Sequence, residues 1–589
     1  MANHKEAAGV PAPLGVAGAT SAAGVSRLWP NFYDIAIFVL IAGVFAAVAH
    51  GARGMVAPAA WLASDPVTLD PANLPDYALR TTLRMFAAIL ASLLFTFVVA
   101  TLAAKSRRAE LVILPALDIL QSVPVLGFLT FTVVFFVGLF PQSQLGAECA
   151  AIFAIFTSQA WNMAFSFYQS LRTVPPDLDE ASRHFRLSPW LRFWRLEVPF
   201  AAPGLIWNTM MSMSGGWFFV VASEAITVGD TTIKLPGIGS WLALAIAERN
   251  VPAVLMAVAT MGAVILAYDQ LLFRPIVAWA DKFRFEQTAA QQRPRSWVYN
   301  LWRRGRLTQR LTMLASSIYA RLYAVVPRRA PAPQGVAPVG AGRIADFVWL
   351  AVVLVMVGWA LWRIVVFADQ TLSFHDLTEA VGLGFLTLLR VAVLIALASL
   401  VWVPIGVWIG LRPAIATRVQ PIAQFLAAFP ANVLFPIAVV AIVSWKLNPD
   451  IWLSPLMVLG TQWYILFNVI AGASAFPTDM REVATMFRLR SWQWWRKVII
   501  PGILPYYVTG ALTASGGSWN ASIVAEVASW GDTKLEAEGL GAYIARATEA
   551  GDFPRVVLGI AVMSVMVVAC NRLVWRPLYR LAEKRFRLN

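Results

Sequence analysis

Apolar residues run through this chain in long blocks, broken at intervals by short polar or basic stretches. A helix needs about 20 apolar residues to cross the hydrocarbon of a bilayer, since each residue rises only about 1.5 Å. Blocks of that order fall near 32–49, 78–104, 112–140, 147–171, 199–226 and 252–273. They fall again near 345–367, 380–411, 419–446, 452–474, 501–528 and 553–575. The pattern predicts an all-α polytopic membrane protein of about twelve transmembrane helices, six in each half. The first block has the look of a secretory leader, but its counterpart lies in mid-chain, where no signal peptidase acts. Both read as retained helices.

The two sets of blocks are copies. Adding 302 carries Pro175 to Pro477, Glu180 to Glu482, Phe185 to Phe487, Pro199 to Pro501, Trp217 to Trp519 and Glu224 to Glu526. It also carries Gly229-Asp230 to Gly531-Asp532 and Arg274-Pro275 to Arg576-Pro577. Upstream the offset is 306, as Arg84/Arg390, Pro115/Pro421 and Pro124/Pro430 show. A four-residue length difference therefore falls between Pro124 and Ser158. The organisation predicted is a tail over 1–30, a first half over 31–285, a basic linker over 286–343 and a second half over 344–589, with the halves as parallel repeats.

Composition agrees with a membrane chain: 59% of residues are hydrophobic and 13% are charged. The formal net charge of +15 raises the question of nucleic acid. The cations sit between apolar blocks, however, which is the positive-inside pattern. Lys105, Arg107 and Arg108 follow the second block, and Arg172, Arg183, Arg186, Arg192 and Arg195 fill the loop over 172–197. Its twin carries Arg481, Arg488, Arg490, Arg496 and Lys497. These loops, and with them both termini, are expected on the cytosolic side of a bacterial inner membrane. Cys149 and Cys570 do not correspond under the repeat, and the four histidines are scattered, so neither a disulfide framework nor a metal site is expected. The linker holds nine arginines and no acid between Gln287 and Gly342, with Leu307, Leu311, Leu314, Ile318 and Leu322 at helical spacing. It reads as an amphipathic helix on the inner leaflet or as a solvated tether.

The repeated loop carries the strongest chemistry. It opens with proline and acids (Asp177, Asp179, Glu180; Asp479, Glu482), which suit a helix N-terminus. It then presents Phe185, Trp190, Phe193 and Trp194, and in the twin Phe487, Trp492, Trp494 and Trp495. Aromatics mixed with arginine in a polar loop point to docking in a partner's groove, or else to an aromatic belt at the bilayer surface. The loop resembles the EAA motif of ABC importer permeases. Glu180-Ala181 and Glu482-Val483-Ala484 match its head, and Val198-Pro199 and Ile500-Pro501 its tail. The stretch "TLLRVAVLIALASLVWVPIGVWIG" is similar to the nitrate/sulfonate/taurine/bicarbonate branch of that family. The resemblance covers roughly 78–280 and 380–585. It implies the type I importer permease fold, with two permease domains fused. It also implies coupling of Glu180, Ala181, Phe185, Arg186, Trp190, Glu482, Ala484, Phe487, Arg488 and Trp492 to two separate ABC ATPase subunits. A periplasmic substrate-binding protein would deliver a small, anionic solute. No G-x-x-x-x-G-K-[ST] loop occurs here, so ATP and magnesium belong to the partners, with no cofactor or catalytic residue in this chain. One departure stands out: six residues after the Glu, where the family usually has Gly, both halves have Arg (Arg186, Arg488). A changed turn or a continuous helix is expected there.

Pathway candidates are the ionisable and polar residues within the blocks, since such groups are costly in a bilayer. Arg84 with Glu224, and Arg390 with Glu526, are expected near the outer face. They would lock an outer gate or, with the Glu elsewhere, present charge to an anion; snorkelling at a helix end is the alternative. Trp217 and Trp519 follow a Gly-Gly pair and either line the pore or pack. Gln159, Gln462 and Asn520 complete the set, and Asn520 faces Phe218 across the repeat, so asymmetric walls are expected. A secondary transporter driven by an ion gradient is the competing reading, because these too are built from repeats.

Overall fold

A computed structural model describes residues 31–55, 67–283 (other than 142, 186, 229 and 230), 296–305, 309–310, 313–314, short stretches between 347 and 366, and 372–586 (other than 475, 477 and 490). The N-terminal tail and much of the linker, including Leu307, Leu311, Ile318 and Leu322, lie outside the described residues.

The first half runs α1 (Phe32–Met55), α2 (Leu74–Lys105), α3 (Arg107–Ser122), α4 (Val125–Leu139), α5 (Leu145–Arg172), α6 (Pro176–His184), α7 (Pro189–Arg192) and α8 (Val198–Glu224). A hairpin, β1 (Ala225–Val228) with β2 (Thr231–Lys234), then leads into α9 (Ile238–Ala247), α10 (Val251–Tyr268) and α11 (Arg274–Ala280). One helix, α12 (Trp297–Arg304), falls in the linker, and α13 (Phe347–Met356) lies in the block that opens the second half. The second half repeats the order with α14 (Phe374–Gly410), α15 (Pro413–Ala428), α16 (Phe435–Ser444), α17 (Pro449–Trp452), α18 (Leu456–Leu459), α19 (Gln462–Ser474), α20 (Thr478–Met486), α21 (Ser491–Trp494) and α22 (Ile500–Ala525). It closes with β3 (Val527–Trp530), β4 (Thr533–Glu536), α23 (Leu540–Glu549), α24 (Phe553–Cys570) and α25 (Arg576–Phe586).

Against the twelve expected spans, six helical stretches among the described residues are long and apolar enough to cross a membrane, or eight if each bent pair counts as one. Part of the difference lies in prolines; the unbroken α5 and α8 are long enough but carry too many polar residues to qualify. The block expected as one helix over 112–140 divides at Val123-Pro124 into α3 and α4. Its twin breaks before Pro430, with a bend of 75° between its two parts. Proline removes an N–H and clashes with the carbonyl four residues back. The same physics separates the halves elsewhere. The continuous α5 corresponds to three short pieces in the second half, where Pro449 and Pro455 stand at the positions of Ala147 and Phe153. The loops expected over 227–251 and 529–552 are instead hairpins followed by short helices, α9 and α23.

Four π-helical turns occur at matching positions: Phe193–Glu197 with Trp495–Ile499, and Asp269–Phe273 with Asn571–Trp575. Each precedes a helix with proline at its second residue (Pro199, Pro501, Pro275, Pro577). A widened turn is where a proline's missing hydrogen bond and ring clash are accommodated.

The halves interlock. Val125, Leu129 and Val133 of α4 join the core of the second half, alongside Trp519, Leu540 and Val562. In return Ala428 and Val433 enter the core of the first half, with Trp217, Trp241 and Met261. Each half thus completes the other's apolar interior.

Candidate functional site

Two features recur in both halves, a buried charge cluster at one end of α8 and α22 and a loop at the other end, and a cavity shared by the halves lies between. The 27 residues of α8 span about 40 Å, so cluster and loop stand a bilayer's thickness apart.

At the hairpin end of the first half, Arg84 lies on α2 and is fully buried. Its Nε and Nη2 donate to both carboxylate oxygens of Glu148 at 2.5 and 2.6 Å, and Nη1 donates to Glu224 Oε1 at 2.6 Å. Thr81 Oγ1 donates to the same Glu224 oxygen at 2.7 Å, and Gly239 N to the other at 2.7 Å. Thr81 Oγ1 in turn accepts from Ile238 N at 3.0 Å. Thr81 and the Glu224 carboxylate therefore satisfy the first two N–H groups of α9 between them, and the carboxylate sits at the positive end of its dipole. Such density of donors is what a buried charge requires. Gly237 lets the chain pass: a Cβ there would come within 2.3 Å of the Glu224 carboxylate.

The second half repeats this with one methylene less. Arg390 Nη1 donates to Glu526 Oε1 at 3.3 Å, and Nη2 to Asp450 Oδ1 at 3.1 Å. Thr387 donates to Glu526 at 2.8 Å and accepts from Leu540 N at 3.0 Å. Ala542 N donates to Glu526 Oε2 at 3.0 Å, and Gly539 replays Gly237. Asp450 is the repeat equivalent of Glu148 but shorter, so one oxygen meets Arg390 where two meet Arg84. Its side chain is 43% exposed and that of Arg390 is 14% exposed. The structure thus brings Arg84 to Glu224 and Arg390 to Glu526; the third members, Glu148 and Asp450, were absent from the sequence-derived candidates. Their signal was available, as an acid beside an apolar block at the same repeat position in both halves.

The halves also touch at this end. Gly531, at φ +58°, donates its N–H to Ile246 O at 2.9 Å. Asp532 Oδ2 pairs with Arg249 Nη2 at 3.3 Å. Arg249 itself holds φ +53°, where the second half has Gly551 at φ +67°. A Cβ on Gly531 would fall on the Arg249 side chain.

At the loop end, α6 and α20 each project a phenylalanine, Phe185 at 78% exposure and Phe487 at 74%. Trp190 and Trp492 are exposed beside them, as are Glu180, Ala181 and Glu482. Phe193, grouped with the exposed aromatics from sequence, is instead buried against Phe167, and Trp194 is half-buried. Ala484 is buried as well; its repeat equivalent, Ser182, is the buried residue of α6. Arg186 lies outside the described residues. Arg488 keeps φ +50°, so the turn that glycine would favour is retained, with arginine bearing its strain; no helix runs through.

Between the ends is a cavity of about 200 Å³ lined by both halves. Its polar lining is neutral: Ser158 and Asn162 on α5, Thr461 and Tyr464 at the start of α19, and Thr513 and Asn520 on α22. Asn520 Oδ1 accepts from Val125 N at 2.7 Å, holding the first turn of α4 across the halves. Its repeat equivalent Phe218 lines the cavity too, so the walls differ. Trp519 borders the cavity, whereas Trp217 is enclosed and donates to Tyr268 Oη at 3.2 Å. Gln462 ties helices by accepting from Trp402 Nε1 at 2.8 Å. Gln159 is fully buried against Gly216, with neither amide atom hydrogen-bonded among the described residues. No group of three or more potential metal ligands occurs among the described residues.

A helical, multi-pass membrane protein of two interlocked repeats is the class that this architecture defines. The model of one family, the binding-protein-dependent transport system inner membrane component, matches twice, at residues 94–273 and 402–588. The matches cover more than half of the chain, and the chain belongs to this family. The bicarbonate transport system permease protein CmpB of Synechococcus elongatus is 28% identical over 188 residues, 32% of this chain and 64% of its own length. The nitrate import permease protein NrtB of Leptolyngbya laminosa is 28% identical over the same shares. A putative ABC transporter permease protein of Methanocaldococcus jannaschii, MJ0413, is 24% identical over 131 residues, 22% of this chain and 48% of its own. The chain thus spans just under two thirds of the bicarbonate and nitrate relatives it matches.

Proposed function

We propose that this chain is the membrane-spanning permease of an ATP-driven ABC importer, moving a small anion inward by alternating access. The observation that carries this reading is the pairing of the two family-model matches with two loops of EAA type, each presenting an exposed phenylalanine at the end remote from the charge clusters. Each loop seats in a cleft of one ATPase subunit. Closure of two such subunits on ATP draws both loops together, and α8 and α22 carry that movement to the far end. There the hairpin contact between Gly531 and Ile246 and the Arg249–Asp532 pair form the outer closure, which parts when substrate is delivered by a binding protein.

The positive-inside rule puts the loops in the cytosol and the hairpins outside. The cavity suits transit. Hydroxyl and amide groups can bond a small planar anion, while the neutral lining holds it weakly enough to leave. The relatives named for bicarbonate and nitrate support an anion of that size. The Arg84 and Arg390 clusters each contain two carboxylates to one guanidinium, so they serve as struts at the outer end and not as anion receptors.

Co-expression with an ATPase subunit from the same operon tests the reading. A stable complex is expected, with ATP hydrolysis that rises when a loaded binding protein is added and that is uncoupled by Glu180→Ala with Glu482→Ala. Solute accumulation driven by a proton or sodium gradient, with no ATPase present, would establish a secondary transporter instead.

A further inference from the structure

The start of the first span and the basic helix α12 are joined by one residue. Asn31 Oδ1 accepts from Asp34 N at 2.9 Å, capping α1, while its Nδ2 donates to Arg304 O at 2.9 Å, at the last turn of α12. Arg304 Nη1 also donates to Tyr33 Oη at 3.4 Å, and its guanidinium lies 5.9 Å from the Tyr33 ring centroid. The described residues 31–44 and 297–305 belong to one compact unit. Asn31 immediately precedes an apolar helix of 24 residues, so α12 is held at the level where that helix meets the bilayer surface.

The composition of α12 suits that level. Trp297 and Trp302 are 55% and 41% exposed, and Arg303 and Arg304 end the helix. Indoles favour the headgroup zone, and a basic helix with indoles adds apolar insertion to charge attraction. Nine arginines and no acid between Gln287 and Gly342 make the surrounding chain strongly cationic. From these we infer that α12, with the first turn of α1, is a binding surface for anionic phospholipid headgroups of the inner leaflet. The guanidinium groups of Arg303 and Arg310 pair with headgroup phosphates, and the tie through Asn31 fixes where they do so. Arg303, Arg304 and Arg310 are all exposed, and Arg304 alone among them is engaged with Tyr33. A nucleic acid would meet the charge equally, but not the indoles or the position at the start of a span. This inference is independent of the energy source, and holds for an importer or a secondary transporter alike.

Native mass spectrometry of the full chain, released from nanodiscs of mixed phosphatidylglycerol and phosphatidylcholine, tests it. Phosphatidylglycerol is expected to be retained preferentially. Each arginine near an anionic surface strengthens binding about fivefold, so Arg303→Gln with Arg310→Gln is expected to lower retention by more than tenfold. Salt at 1 M is expected to remove the preference, the screening length there being about 3 Å. Arg303→Lys with Arg310→Lys keeps the charge and is expected to restore it. Equal retention of the two lipids, or retention unchanged in the glutamine variant, overturns the inference. Unchanged lipid retention together with weakened binding of a purified ATPase subunit overturns it too, and assigns the surface to an acidic protein.

Discussion

The guanidinium of Arg84 is sealed from solvent by two glutamates, while that of Arg390 meets a glutamate and a half-exposed aspartate. The contrast is repeated at the opposite end. In the first half, Arg192 forms ion pairs with Asp179 at 2.6 Å and Glu197 at 3.1 Å, and Lys105 reaches Glu197 at 2.8 Å, tying the loop to α2 and the root of α8. In the second half, Trp494, Ile499 and Leu411 occupy the positions of Arg192, Glu197 and Lys105, and the loop is held by apolar packing. The exposed face of that loop is apolar as well, with Met480, Val483 and Met486 added to Phe487 and Trp492. The first half is therefore fixed by ion pairs at both ends. The second is held at the hairpin end by a cluster that is open to solvent on its Arg390–Asp450 side, and at the loop end by apolar packing. The two copies thus keep one geometry and differ in the contacts that hold it.

The largest effect that should separate the halves comes from their arginines. Arg84→Met leaves two carboxylates buried without a cation and is expected to cost about 3–5 kcal/mol. Arg390→Met should cost less, because water reaches Asp450 and the buried Glu526 keeps its bonds from Thr387 and Ala542 N. Thermal or denaturant unfolding in detergent compares them; equal losses would contradict the sealed-versus-open distinction. The glycines beneath the glutamates should instead behave alike. Gly237→Ala and Gly539→Ala each force a methyl to 2.3 Å from a carboxylate, so each is expected to destabilise by about 1–3 kcal/mol in the same assay.

At the loops the order is expected to reverse. Phe487→Ala should weaken binding of the purified ATPase subunit by about 2 kcal/mol, near thirtyfold, as for an anchor in a docking cleft. Phe185→Ala, in a loop with more charge around it, should weaken binding less; surface plasmon resonance on nanodisc-embedded protein resolves the two. The smallest change is a gain. Arg488→Gly relieves a left-handed backbone and is expected to stabilise by about 1 kcal/mol, read as a raised unfolding midpoint.

Much of this was legible in the sequence, because apolar blocks and a fixed offset between copies survive divergence. The offset exposed Arg84/Arg390 and Glu224/Glu526 as pairs, and the loops announced themselves by acids, aromatics and a closing proline. What escaped has physical reasons. Glu148 sits among small apolar residues in "LGAECAAIF" and reads as one acid near a helix end; only the close approach of α2 and α5 makes it a partner. The hairpins are four residues per strand around Gly-Asp, too short for an alternating pattern to stand out between apolar blocks. The breaks at Pro124 and Pro430 were visible as prolines but not as bends, since membrane helices often keep a proline without breaking, as at Pro203 of α8 and Pro505 of α22.

Uptake into sealed vesicles addresses the central claim most directly. Vesicles would carry this chain with its ATPase partner, with ATP enclosed on the loop side and binding protein outside. Labelled nitrate or bicarbonate is predicted to accumulate only when ATP is present, and to stop when Phe185 and Phe487 are both replaced by Ala. Accumulation at the same rate without ATP, or undiminished by removing both phenylalanines, would contradict the account.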